Sequence, residues 1–134
     1  MGDAVRNEVA MLMKVVLLAA AAGVVAGAGA ARAQDAAAGA AVFKTQCSIC
    51  HSVAEGKNLV GPSLFGIVGR QAGQVAGFHY SPANKESGLT WDVATLDRYL
   101  TNPQAVVPKT IMPYAGLKDD EKRANLIAYL STLH

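Results

Sequence analysis

The residues best placed to do chemistry are Cys47 and Cys50, the only two cysteines of the chain, with His51 directly after the second. C-x-x-C-H is the attachment pattern of c-type haem. If this stretch lies on a helix, positions i and i+3 share a face, so both thiols can reach the two vinyl groups of one porphyrin and form thioethers. His51 then stands beside the anchor and can offer a ring nitrogen to the iron. Two other chemistries use a C-x-x-C pair. A structural zinc site wants four ligands, and no second cysteine pair exists. A catalytic disulfide suits an exported protein, but nothing beside the pair resembles a thioredoxin-like βαβ unit.

A haem bound at one end of a chain needs elements to enclose it. Its histidine wants an acceptor for the other ring N–H, which fixes the tautomer and raises basicity. The carbonyl of Pro62 is the candidate, since proline offers a carbonyl and no N–H. Propionates would need donors, because an unpaired buried carboxylate is very costly. Tyr80, Asn84 and Trp91 supply donors, and Arg70 adds a charge. Met112, beside Pro113, is the candidate for the second axial position. A buried methionine usually just fills core, yet a thioether is a known haem ligand that raises the reduction potential. His79 reads as a surface residue.

The elements that would carry these side chains are helical. Asp35 can cap a helix over residues 36–46. Gly39 and Phe43 share one of its faces, and a glycine there suggests close approach by another helix. Thr90 or Asp92 can cap a second helix running to Leu100, closed at Asn102-Pro103 because a residue before proline is pushed out of the helical region. Asp119, Asp120 and Glu121 open the last helix at its positive end, and Leu126, Ile127, Leu130 and Leu133 give it an apolar stripe. Residues 71–90, with Gly73, Gly77, Pro82 and Gly88, read as loop, as do residues 106–110. No alternating β-branched run suggests a strand.

Before these elements stands a different kind of segment. Residues 15–31 carry no charge, Lys14 precedes them, and Ala31-Arg32-Ala33 offers a small-x-small exit. This is the pattern of a signal peptide over residues 1–33. The block is short and Ala/Gly-diluted for a membrane span of about 20 residues. Asp3 and Glu8 do not suit a positively charged start, so translation from Met11 or Met13 is expected. Residues 34–134 then form one small domain with nine Lys/Arg and eight Asp/Glu. The absence of a basic run argues against nucleic-acid binding.

Taken together, CSICH, GPSLFGIVGR, GFHYSPANKESGLTW, YLTNPQAVVPKTIMPYAGL and ANLIAYL resemble, in order, the class I cytochromes c, the bacterial members close to the mitochondrial type. The resemblance covers about residues 35–133. It implies an all-α cytochrome c fold, three main helices with long loops around one haem c held through Cys47 and Cys50. It implies His51 and Met112 as axial ligands, Pro62 as acceptor for His51, and Arg70, Tyr80, Asn84 and Trp91 around the propionates. Tyr99 and Thr110 fall in the polar network beside Met112, Leu64 and Leu100 in the pocket, and Gly39, Phe43 and Tyr129 at the crossing of the first and last helices. The implied function is an exported, periplasmic, mono-haem electron carrier and not an enzyme. It would be monomeric and dock transiently on membrane-bound donor and acceptor complexes. A haem subunit of a larger complex, or a haem enzyme or gas sensor with a labile Met112, are the competing readings. Mitochondrial relatives ring the haem edge with lysines, whereas this chain has Gln46 and Ile111 at two such positions, leaving Lys109 and Lys118 nearby.

Overall fold

The computed structural model describes residues 34–134. The signal segment and the alternative starts at Met11 and Met13 lie outside the described residues. Helix α1, Ala36–Gln46, begins where Asp35 accepts hydrogen bonds from the Ala37 and Ala38 amides. Helix α2, Pro82–Lys85, is one turn capped by Ser81. Helix α3, Val93–Thr101, is capped by Asp92. Helix α4, Pro103–Val106, is capped by Asn102. Helix α5, Asp120–Leu130, is capped by Asp119.

The three longer helices occupy the expected places, and Asp92 rather than Thr90 caps the second of them. Two local expectations are corrected. Residues 82–85 are helical, although they read as loop, and so are 103–106, where the sequence marks only a helix end and a loop from 106. In each, a proline stands at the first helical position, where its missing N–H costs nothing, and the preceding Ser or Asn caps it. Asn102-Pro103 therefore ends one helix and starts another. Among the described residues the sole β pairing is an isolated antiparallel bridge between Gln71 and Thr90.

Helix α1 packs against α5, and α5 against α3. The α1–α5 crossing needs Gly39. A Cβ there would overlap the Asn125 carbonyl oxygen and stand 2.8 Å from Tyr129 Cβ. Phe43 and Tyr129 stack at a tilt with ring centroids 5.7 Å apart, which fixes the crossing from the other side. Gly39→Ala is expected to destabilise the protein. Helix propensity favours alanine by about 1 kcal/mol, but overpacking against backbone costs about 1–3 kcal/mol and outweighs it. Denaturant unfolding checks the sign, and a raised midpoint would contradict the close approach.

Arg123 ties the remaining pieces together. It is buried on α5, where Nε donates to Asp97 Oδ1 on α3 at 2.6 Å and one terminal nitrogen to Asp120 Oδ1 at 2.8 Å. The other donates to the Leu117 carbonyl at 2.9 Å, and the Leu117 amide in turn donates to the Leu100 carbonyl at 2.7 Å. One guanidinium thus holds α3, α5 and the loop between them. Arg123→Met keeps the stem but strands the Leu117 carbonyl. Hydrogen bonds to charged groups contribute about 1.5–3 kcal/mol, and the exposed carboxylates lower the value of their share. A loss of about 2 kcal/mol in urea unfolding is expected, and no loss would mean the network is idle.

Candidate functional site

The buried face of this helical frame does not close on itself. Between α3, α5 and the loops lies a cavity of about 440 Å3, within the roughly 300–1,000 Å3 of ligand sites. Its lining is mostly apolar, with Leu64, Ile67, Leu96, Leu100, Leu126 and Leu130 at its walls. Cys47, Cys50, His51, Pro62, Arg70, Tyr80, Asn84, Trp91, Tyr99, Thr110 and Met112 all line this one cavity. His79, by contrast, is exposed and outside it.

The C-x-x-C-H stretch is not on a helix. Helix α1 ends at Gln46, Cys47 is its C-cap, and residues 47–50 form a turn. The Cys50 and His51 amides both donate to the Cys47 carbonyl, at 3.0 and 2.9 Å. That turn folds the chain back within four residues, so both cysteines line the cavity although the helix has stopped. They are not joined in a disulfide. Burial and the neighbouring Cys50 push the Cys47 thiol up to about 11. A redox-active C-x-x-C thiol is activated by the opposite shift.

His51 Nδ1 lies 2.8 Å from the Pro62 carbonyl. A carbonyl only accepts, so Nδ1 carries the proton and Nε2 keeps its lone pair. Burial pushes His51 below its ordinary range, against the opposing pull of the Pro62 carbonyl, and this favours the neutral ring a metal needs. Gly61 was legible only as a loop residue. It is buried flat against this ring, and a Cβ would overlap Cε1 and stand 2.6 Å from Nδ1.

Met112 is half-buried in an irregular loop, between the exposed Ile111 and Pro113. The turn before it closes with the Thr110 amide donating to the Val107 carbonyl at 3.0 Å, and Lys109 takes a left-handed φ of 68°. Thr110 Oγ1 accepts from the Met112 amide at 3.3 Å and lies 3.5 Å from the Tyr99 hydroxyl. That hydroxyl donates to Met112 Sδ at 3.5 Å. Backbone, threonine, tyrosine and thioether thus form one ring of contacts that orients the sulfur. Burial raises the Tyr99 hydroxyl's pKa, partly offset by Thr110, so it stays protonated and able to donate.

On the polar side, Arg70 donates to the Phe65 and Ser63 carbonyls at 2.8 and 2.9 Å. Tyr80 accepts from the Val75 amide at 3.3 Å. Asn84 Oδ1 is buried without a hydrogen-bond partner. Such a group asks for a partner from outside the chain, and since the two ends of an asparagine amide exchange by a flip, it can serve a polar ligand as acceptor or donor. At the mouth, the Tyr114 hydroxyl donates to Gln46 Oε1 at 2.6 Å, a bridge that sequence reading missed.

An apolar cavity lined by two unbridged cysteines, an oriented neutral imidazole, an oriented thioether and one orphaned amide fits a covalently held haem. The family model described as Cytochrome c matches residues 36–134. The chain belongs to the cytochrome c family. It is 52% identical over 99 residues to cytochrome c2 of Rhodoplanes tepidamans, which covers 73% of this chain and 92% of that protein. It is 56% identical over 97 residues to cytochrome c2 of Rhodomicrobium vannielii, covering 72% and 77%. Cytochrome c of Nigella damascena is 46% identical over 101 residues, covering 75% and 91%. Among solved structures, cytochrome cH from Methylobacterium extorquens matches with a TM-score of 0.69 and 46% identity, over 73% of this chain and 98% of that one. This cytochrome c is therefore a cytochrome c2-like mono-haem electron carrier and not an enzyme, with haem c attached through Cys47 and Cys50.

Proposed function

We propose that this cytochrome c is an exported, periplasmic shuttle whose haem is ligated by His51 and Met112. The observation that carries the reading is that both side chains line the cavity of the two cysteines, each with its own orienting partner, Pro62 and Tyr99. When bound, haem supplies a one-electron ferric/ferrous couple whose potential is set by axial ligands, burial and hydrogen bonds. His51 gives Nε2 and is held in register by Pro62, with Gly61 leaving room for the ring. Met112 gives a soft sulfur, and the Tyr99 hydroxyl fixes which lone pair stays free. Arg70, Tyr80, Asn84 and Trp91 would hold the propionates, the orphaned Asn84 amide supporting this role. The leucines and isoleucine of the walls exclude water. With His51 and Met112 both held against the bound group, no position would be left open to a substrate, and little would need to move when its charge changes.

Carbon monoxide tests the closed site. The ferrous protein at neutral pH is expected to bind it slowly or not at all, and rapid stoichiometric binding would contradict Met112 ligation. Export rests on the uncharged residues 15–31 after Lys14 and the exit at Ala33. No helix among the described residues is long and apolar enough to cross a membrane. Sequencing the mature N-terminus from a periplasmic fraction is expected to find Gln34 first, and retention of residues 1–33 would point to an anchored subunit.

A further inference from the structure

Five large hydrophobic side chains are exposed among the described residues; Val93 stands apart at the start of α3, and three of the others gather at the cavity. Ile49 (83% exposed), Val60 (74%) and Ile111 (69%) come from three separate segments, yet all line the cavity. Leu59, 44% exposed, adjoins Val60 in a tight turn where its amide donates to the Gly61 carbonyl. Side chains deep in the same cavity, such as Leu100 and Leu126, are 8% and 1% exposed. The contrast puts the first three at its mouth, with most of their surface facing outward. Isolated exposed apolar residues are ordinary, whereas a cluster at a site marks an interaction surface.

We propose that this mouth is the docking surface for a redox protein whose own facing surface is apolar and uncharged. The inference rests on the electron-carrier reading, since a partner must sit where the cofactor site comes to the surface. The charges on the page select the partner's chemistry. No Lys, Asp or Glu lines the cavity, and Arg70 is committed to the Ser63 and Phe65 carbonyls. Lys118 Nζ donates to the Thr101 carbonyl at 2.6 Å, which ties the side chain down outside the lining while leaving its charge, and Lys109 is exposed beside the turn before Thr110. Residues 34–134, with nine basic and eight acidic side chains, carry almost no net charge to steer an acidic partner. A charged partner surface would lose hydration against Ile49, Val60 and Ile111 and gain no counter-charge from these residues, the nearest lysines in sequence being Lys109 and Lys118 outside the lining. Four aliphatic side chains also fall short of the roughly 800 Å2 per partner of a stable complex. The area suits a brief encounter better than a lasting dimer.

The test is stopped-flow electron transfer from the reduced holoprotein to two blue copper proteins. One has an apolar, uncharged surface over its copper, and the other an acidic surface there. With the apolar-faced acceptor, the rate is expected to change less than about twofold between low and high salt, because screening acts on charges. Val60→Gln with Ile111→Gln is expected to slow it about tenfold, as loss of central apolar contacts does at interfaces. Leu59→Gln, outside the cavity lining, is expected to slow it in the same direction, and each variant's absorption spectrum reads any change at the iron separately. A faster, steeply salt-dependent reaction with the acidic-faced acceptor would overturn the proposal, as would unchanged rates in both variants. Concentration-dependent dimerisation, or binding to phosphatidylcholine vesicles, abolished by Val60→Gln would reassign the patch to a second copy or to lipid. A small neutral ferrocene separates the two readings. Failure to exchange one electron with it overturns the carrier reading, while normal exchange with unaffected protein rates overturns the docking surface alone.

Discussion

Met112→Ala lowers the reduction potential by on the order of 0.1–0.3 V, a fraction of the roughly 0.8 V that axial ligands span, and opens the ferrous iron to carbon monoxide. The direction follows from the chemistry of the sulfur. A thioether is soft and favours the reduced, less charged metal, so it raises the potential. Alanine leaves that position to water or a stray base, which favours the oxidised form. The substitution also removes the acceptor of the Tyr99 hydroxyl. That hydroxyl is left with Thr110 at 3.5 Å, a long contact. Tyr99→Phe separates the two effects, since it keeps the thioether and loses its orienter. A much smaller shift, in the same direction, is expected. Potentiometric titration of both variants is the check, and an unchanged potential in Met112→Ala would mean that another residue ligates the iron.

Cys47→Ala with Cys50→Ala is expected to abolish covalent haem attachment and, with it, the fold. The size of the cavity makes the second consequence follow from the first. Unfilled apolar space costs about 24 cal/mol per Å3, so about 440 Å3 would cost on the order of 10 kcal/mol, an upper bound for a cavity that opens to water. A small domain has only about 5–15 kcal/mol in total. Residues such as Leu96, Leu126 and Leu130 are buried yet face this cavity, so the group that fills it completes their core. The single variants should be intermediate, with one thioether and reduced stability. Haem staining after denaturing electrophoresis reads attachment, and far-ultraviolet circular dichroism reads the fold. A double variant with parental helix content would show that the chain builds its core unaided.

How much of this was legible in the sequence depends on how local each signal is. Asp35 and Asp119 cap their helices where the acid-before-apolar pattern put them, because an N-cap is decided within three residues. Gly39 announced a close approach through its cost in a helix, and Asn125 and Tyr129 meet it there. The one-turn helices at 82–85 and 103–106 were missed because four residues carry no period, although Ser81-Pro82 and Asn102-Pro103 hold the cap-then-proline order that marks them. The cysteines were expected on a helix, but α1 stops at Gln46 and a turn brings them together. The spacing that serves i and i+3 on a helix serves a turn equally well. The Gln46–Tyr114 bridge joins positions 68 apart. Neither residue type nor spacing announces such a pair, since only the tertiary fold brings the loop after Met112 over the end of α1. Gly61 beside Pro62 did carry a signal, a glycine next to the residue that orients His51, and its meaning needed the ring's position.

The central claim is that His51 and Met112 close the two faces of one iron, and the absorption spectrum of the oxidised and reduced holoprotein tests it most directly. The account predicts low-spin spectra in both states and a sulfur-to-iron charge-transfer band in the oxidised protein, absent from Met112→Ala. A high-spin spectrum, or a low-spin oxidised spectrum without that band, would contradict it.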